Sequence, residues 1–319
     1  MKKSQILYIV LITLFSINCF SQFSKTHYIP PLSNSDSQEP QGQYIYISCP
    51  SVSPVSFVIK EIGGTTISGS VSRDTPYIYN IGSGFDTQLL ISQSDVNTIK
   101  SNKGYIINAQ DLIYANVRLT STTQNNQAGG LVSKGMAALG THFRIGAFIN
   151  TGAPSTTSNH YTFATILATE NNTTISFADI KPGVQLINNT AAGSNPSNIT
   201  LNAGQSFAIA VVGPTAANKD GLIGASITSD KPIAVNCGSF AGSNGTTSNL
   251  DLGIDQIVSA ERTGMEYIFV KGSGVDVTER PLLIADTNNT EIYLNGSATP
   301  IATLNSGQYL ALSGTDFSA

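Results

Sequence analysis

The sequence predicts an all-β protein made of tandem antiparallel β-sandwich-like repeats. Only 11% of its 319 residues are charged and 29 are glycine, whereas an ordinary soluble domain has about 25% charged residues. Short β-prone runs alternate with clusters of Gly, Asn, Asp and Pro, and no segment keeps a helical hydrophobic period over three turns. Several of these runs also recur in one order along the chain.

Residues 1–21 have the features of a cleavable secretory signal peptide. Lys2 and Lys3 precede an apolar stretch from Ile6 to Ile17, and small residues stand where cleavage after Ser21 requires them. The apolar stretch is shorter than the roughly 20 residues that span a bilayer. No later segment approaches that length, so we expect a secreted or surface-attached protein without a transmembrane segment after signal cleavage.

Residues 22–42 are polar and contain three prolines, which is typical of a linker or an extended lead-in. From there the β-prone runs follow one another to the end of the chain. They cover 44–48, 55–62, 77–81, 88–92, 105–107, 112–119, 143–149, 161–169, 174–177, 206–212, 225–228, 233–236, 267–270, 282–285 and 291–294. At most, 131–139 and 254–262 are single helical turns in connections.

An asparagine hairpin occurs twice. Residues 167–177 align without gaps to 284–294, which superimposes Asn171 and Asn172 on Asn288 and Asn289. Each copy is followed by a Leu-Asn-x-Gly-Gln element that contains Gly204 or Gly307. Since Asn and Gly tolerate the left-handed backbone conformation, we expect these residues to form turns between strands.

Two further alignments complete the repeat: 104–116 with 224–236, and 140–145 with 264–269. They predict a diverged repeat 1 over 43–120, a connection over 121–138, repeat 2 over 139–240, a connection over 241–263, and an incomplete repeat 3 over 264–319. Repeat 3 stops before a counterpart of 227–235, so we expect the chain to be a fragment of a longer protein. Within repeat 2, Asp230 and Pro232 predict a turn.

A β-propeller built from the same repeats is the alternative fold. A period of roughly 100–125 residues suits a sandwich better than a propeller blade.

Few residues suggest chemistry. A net charge of −4 lacks the cationic field that nucleic-acid binding needs. His27, His142 and His160 are scattered, and no Cys-x-x-Cys or Gly-x-Ser-x-Gly motif is present, so we predict no catalytic residue, no metal and no cofactor. For Cys49 and Cys237 two interpretations stay open: one disulfide, or two buried thiols in separate repeats.

Two residue groups carry weaker functional signals. Asp251, Asp255 and Glu261 form a loose acidic group that we expect to be a solvated connection. The tyrosine pairs 44 and 46, and 77 and 79, each share a strand face. Such aromatic pairs can stack on sugars, but core packing is the favoured interpretation because the chain has no Trp.

Four motifs in order, at 170–175, 201–205, 228–235 and 264–267, resemble the IgG-Fc-binding protein amino-terminal domain family. The resemblance covers roughly residue 43 to the end. It implies an extracellular protein, similar to animal mucus proteins and to exported surface proteins of Bacteroidota, of flavobacterial type. Repeat 1 departs from the pattern, with Gly63 and Gly64 where the later copies have Asn pairs. No Fc-binding residue maps onto these motifs, so Fc binding itself is not implied.

The function expected from these observations is non-enzymatic recognition or adhesion at the cell surface or outside the cell. Loops of the β repeats would bind an extracellular protein or glycan ligand. A structural spacer within a longer surface adhesin is the alternative, and an extracellular glycan-active enzyme is a more distant one.

Overall fold

The computed structural model describes residues 22–33, 40–121, 128–153, 162–189, 193, 195–211, 215–243 and 250–316. The predicted signal peptide and His160 lie outside these described residues. Within them the protein is nearly all β, and its sheets are antiparallel and curled, so the predicted fold class is confirmed.

The strands are β1 Ser24–Ile29, β2 Leu32–Ser33, β3 Gly42–Ser48, β4 Val55–Glu61, β5 Thr66–Val71, β6 Tyr77–Gly82, β7 Leu90–Ile91, β8 Tyr105–Thr120, β9 Gly129–Ser133, β10 Gly140–Arg144, β11 Thr162–Ala168, β12 Thr173–Ala178, β13 Ile199–Leu201, β14 Ser206–Val211, β15 Ser226–Gly242, β16 Asp251–Ile257, β17 Leu282–Ile284, β18 Thr290–Ile292, β19 Ala302–Leu304 and β20 Tyr309–Ala311.

Short 3-10 turns lie at Gln93–Asp95, Gly135–Ala138, Ala216–Asn218 and Ala260–Arg262. The second and fourth fall inside the two segments where the sequence allowed a helical turn.

The first sheet, which we call unit 1, contains β1, β3–β6, β8 and β9 in the order β5-β4-β8-β3-β6, with β1 and β9 also paired to β8. The first half of β8 pairs with β4 and β1, and its second half pairs with β3 and β9. Two four-stranded halves therefore share one long strand. Apolar side chains from both halves, including Ile45, Phe57 and Val117, fill the core between them.

The second sheet, unit 2, repeats this topology with β10–β16 in the order β13-β12-β15-β11-β14, and with β10 and β16 also paired to β15. Its long strand, β15, takes the place of β8. The equivalent strands are β1 and β10, β3 and β11, β4 and β12, β5 and β13, β6 and β14, and β9 and β16.

The long strands correct one prediction. The sequence suggested two short runs in place of β8 and two in place of β15, with a turn at Asp230 and Pro232 between the latter. Both residues instead lie inside β15, between Ser229, where its pairing with β12 ends, and Ile233, where its pairing with β11 begins. Since residues 230–232 have no partner strand, the missing N–H of Pro232 breaks no ladder hydrogen bond.

Segments predicted as linker or connections supply further strands. Residues 22–42 contain β1 and β2, 121–138 contain β9, and 241–263 contain β16. β1, β9 and β16 each pair only with a long strand, and their polar or glycine-containing sequences hide the hydrophobic alternation of a strand.

Unit 3 consists of two separate strand pairs, β17 with β20 and β18 with β19. Leu283 pairs with Leu310 as Ile166 does with Phe207, and Glu291 pairs with Thr303 as Thr174 does with Thr200. Among the described residues of unit 3, no long strand joins the pairs.

The prediction of a strand at 267–270 is wrong, because the described residues of unit 3 include no long strand with which this segment could pair. Its counterpart in unit 2 is β10, which pairs only with β15. Without such a partner, the chain around Met265 and Ile268 stays outside any strand, and both side chains are exposed.

The units meet at two different junctions. Between units 1 and 2, Phe163 and Phe240 are fully buried in one core with Ile45, and Lys100 and Ser206 exchange backbone hydrogen bonds of 2.8 Å. The junction of units 2 and 3 is polar.

At that second junction, Arg144 donates from Nε to Asp286 Oδ1 at 2.8 Å, from one terminal nitrogen to Asp179 Oδ2 at 2.6 Å, and from the other to Ser306 Oγ at 2.7 Å. Burial of Arg144 opposes its charge, but the two carboxylates outweigh burial and raise its pKa.

Candidate functional site

The repeated asparagines and glycines hold two turns together. Asn172 and Asn289 have φ of 55° and 60°, and Gly204 and Gly307 have φ of 82° and 76°. Asn171 Oδ1 accepts from Ala203 N at 3.0 Å, and Asn288 Oδ1 accepts from Ser306 N at 3.1 Å. The contacts are the same in both units and lie within the chain, so these residues act in the fold.

Asp230 serves the same turns. Its Oδ1 accepts a hydrogen bond of 2.8 Å from the backbone N–H of Thr174, and Lys231 donates to the carbonyl of Asn171. The middle of β15 is thereby tied to the asparagine hairpin.

Cys49 and Cys237 are both buried and free. Cys49 donates to the carbonyl of Val71 at 3.4 Å, whereas Cys237 lies inside β15 of the other unit. Burial raises the pKa of Cys237 to about 12, so its thiol stays protonated near neutral pH. Of the two interpretations left open by the sequence, the structure has the separate thiols.

The predicted acidic group is dispersed. Asp255 forms an ion pair of 2.6 Å with Lys134, and Glu261 accepts a hydrogen bond from Thr141, which lowers the pKa of Glu261. Among the described residues, no three His, Cys, Asp or Glu side chains are grouped so that they could hold a metal ion.

Within the same residues, no helix has the length and apolar character needed to cross a membrane.

Neither described histidine lies in a catalytic arrangement. His27 is fully buried, its Nδ1 is 3.0 Å from Ser133 Oγ and its Nε2 is 3.1 Å from the carbonyl of Ile113. Burial lowers the pKa of His27. His142 Nε2 is 3.3 Å from Asp286 Oδ1, beside the Arg144 cluster.

The two tyrosine pairs have different environments. Tyr77 and Tyr79 pack against the core of unit 1, and Tyr79 donates to Glu61 at 2.6 Å, as the core interpretation predicts. Tyr44 and Tyr46 alternate with the buried Ile45 and Ile47, so they lie on the opposite side of the sheet.

The strand registers extend this side of the sheet into a continuous surface. Asn116 pairs with Tyr46 on one side and with Val132 on the other. Arg118 likewise pairs with Tyr44 and Gly130, and Tyr114 pairs with Ser48. We call this surface the outer face of unit 1: Tyr44, Tyr46, Tyr114, Asn116, Arg118 and Val132.

A cleft of about 750 Å³ opens along the outer face. Its walls are β8 from Tyr114 onward, β9, and Asp255 from β16 of unit 2. Asn116 Oδ1, at the cleft, is buried and has no hydrogen-bond partner. The cleft therefore combines an aromatic ring, an amide with an unused acceptor, a guanidinium and a carboxylate.

The equivalent face of unit 2 is covered. Phe163 and Thr165 stand where unit 1 has Tyr44 and Tyr46, and both are fully buried against unit 1. The sequence alone could not separate these cases, because strand alternation defines two faces but not which of them a neighbouring unit covers.

Comparison with known proteins gives one result. The model of the family described as IgGFc binding protein matches residues 128–318. No curated protein and no solved structure matches the chain. The family match begins beside β9 and runs through units 2 and 3, which is narrower than the resemblance seen in the sequence but covers more than half of the chain. The chain therefore belongs to the IgGFc binding protein family.

Proposed function

We propose that this protein is a non-enzymatic recognition protein that acts outside the cell or at the cell surface and binds a protein or glycan ligand. The family is a binding family and suggests an extracellular, protein-binding role. Export through the signal peptide, a bacterial surface location and adhesion belong to this proposal.

The outer face of unit 1 is the observation that carries the proposal. Tyrosine and arginine are enriched at protein interfaces, and tyrosine also offers a flat ring to sugars. The sequence led us to expect ligand binding by loops. The open sheet face is a better candidate because β3 and β8 fix its side chains on a rigid scaffold.

The chemistry of the cleft supports binding over hydrolysis. A glycosidase ordinarily uses two carboxyl groups across the scissile bond. Among the described residues that line the cleft, Asp255 is the single carboxylate, and it is paired with Lys134.

A spacer role remains the second candidate function, and the repeated topology of units 1 and 2 favours it.

The test uses a protein of residues 22–319 in glycan-array and mucin pull-down assays. We expect binding by the wild type that falls at least about tenfold in a Tyr44→Ser, Arg118→Ser double variant. Tyr293→Ser, which changes a half-exposed tyrosine of unit 3, is the control and should bind normally. Absence of binding by the wild type would favour the spacer.

A further inference from the structure

Unit 2 already binds an extended segment on the face that is open in unit 1. Three side chains in one cross-strand row, Thr165, Asn236 and Gln256, point at residues 28–31. Gln256 Nε2 donates to the carbonyl of Tyr28 at 2.7 Å, and Asn236 Nδ2 donates to that of Pro30 at 2.7 Å. Thr165 Oγ1 donates to the carbonyl of Pro31.

The chemistry of the bound segment explains this row. Proline has no N–H, so residues 30 and 31 offer only carbonyl acceptors, and a row of side-chain donors matches them. Pro30, Pro31 and the three donor side chains are all buried. All three side chains donate to backbone carbonyl oxygens of the extended segment, and none of the three hydrogen bonds involves a side chain of that segment.

The equivalent row of unit 1 is Tyr46, Asn116 and Val132. Its central residue is the same amide as in unit 2, and Asn116 and Asn236 share one further property: the Oδ1 of each is buried without a hydrogen-bond partner. Asn236 uses its Nδ2 group to donate to the carbonyl of Pro30, and Asn116 carries the same amide donor at the equivalent position of the outer face.

The other two donors of the row are replaced by a tyrosine ring and an apolar side chain, since Tyr46 stands at the position of Thr165 and Val132 at that of Gln256. Unit 1 has Tyr44 and Tyr46 where unit 2 has Phe163 and Thr165, and Tyr114 lies on the same face. Grooves lined by tyrosine are a recurring means of binding proline-containing segments, whose extended conformation is already restricted before binding.

We propose that the outer face of unit 1 binds an extended, proline-containing polypeptide segment in the way that unit 2 holds residues 28–31. This inference rests on the proposed recognition function and specifies its ligand as a peptide. Asn116 donates to a proline carbonyl, and the tyrosine rings pack on the pyrrolidine rings.

The experiment measures binding of a fluorescent synthetic peptide of residues 26–33 to the protein of residues 22–319. We expect saturable binding that weakens about fivefold in Asn116→Ala and about tenfold in Tyr46→Ala. Tyr46→Phe, which keeps the ring, and Tyr293→Ala, away from the face, should bind like the wild type. A peptide with both prolines replaced by alanine should bind about fivefold more weakly because it loses its restricted conformation.

Three outcomes would overturn the proposal: no binding to the wild type at about 1 mM peptide, unchanged binding in Asn116→Ala, or equal loss in Tyr293→Ala. Binding of mucin or a glycan by the same preparation, without peptide binding, would overturn the peptide ligand and leave the recognition function intact. If neither ligand class binds, both proposals fail.

Discussion

Units 2 and 3 contain the same hairpins, the same turn hydrogen bonds and the same strand registers, but they bury their residues differently. Ile166 in β11 is fully buried, whereas its counterpart Leu283 in β17 is only partly buried. The same holds for Ile175 and Ile292. Units 2 and 3 therefore share the strand pairs that accompany the asparagine motifs, whereas full burial is found where a long strand lies between the pairs, in unit 2.

Truncating an equivalent pair of core residues should have the largest effect. Ile166→Ala leaves a cavity in a closed core and should lower the free energy of unfolding by about 2–5 kcal/mol. Leu283→Ala, at the same position of unit 3, should cost about 1 kcal/mol because the side chain is already partly hydrated. Urea denaturation followed by circular dichroism measures both, and equal losses would contradict the comparison.

Gly224→Ala tests whether the turns of units 2 and 3 fit against each other. A Cβ at Gly224 would lie 1.9 Å from the carbonyl oxygen of Gly307, and the φ of Gly224 is 85°. We expect a loss of about 2–3 kcal/mol, the sum of the left-handed strain and the clash. Hydrogen exchange should quicken across β17–β20.

Gly296→Ala is the matched control for the clash, since φ is 74° and nothing lies within 4 Å of the added Cβ. It should show only the conformational cost of about 1–2 kcal/mol. If both variants lose the same stability, the turn contact contributes nothing.

Arg144→Met should loosen the contact of unit 3 with unit 2 while leaving the hydrophobic core of unit 2 intact. The substitution removes the donors of Asp286, Asp179 and Ser306, but the carboxylates are partly exposed and regain water, so we expect a loss of about 1–2 kcal/mol. Faster amide exchange at Leu283, with unchanged exchange at Ile166, would show that unit 3 has loosened and that the core of unit 2 has not. Arg73→Met removes an exposed ion pair with Asp74 and should change neither rate.

The smallest effect is expected at the left-handed asparagines. Asn172→Ala and Asn289→Ala should each cost about 1 kcal/mol, because alanine tolerates positive φ less well than asparagine. Asn172→Gly and Asn289→Gly should be nearly neutral. Thermal melts of all four variants measure this, and a markedly larger loss in one unit would show that the two turns differ in strength.

The turns that units 2 and 3 have in common were accessible to sequence analysis because turn residues act locally. Asn172 and Gly204 tolerate the left-handed backbone that tight turns need, and Asn289 and Gly307, which align with them, have the same positive φ. The same local view failed at Asp230 and Pro232. A polar pair followed by proline ordinarily marks a turn, and only the partners on either side of β15 show that the strand continues.

The candidate site was hidden for another reason. Tyr46 and Thr165 occupy equivalent positions on strands with the same alternation, and only the neighbouring unit decides which of them is covered. His27 is comparable, since its burial depends on Ser133 and Ile113, which lie far away in the sequence.

The sharing of one long strand by two half-sheets also determines when each unit can assemble. β8 pairs with β1, β3 and β4, strands that lie tens of residues earlier in the chain, and pairings of such long sequence separation slow folding. The hairpins of a unit can form as soon as they are synthesised, but its core can close only after the long strand has emerged. The described residues of unit 3 hold two strand pairs and no strand that joins them, so this part of the chain resembles units 1 and 2 at the moment before they close.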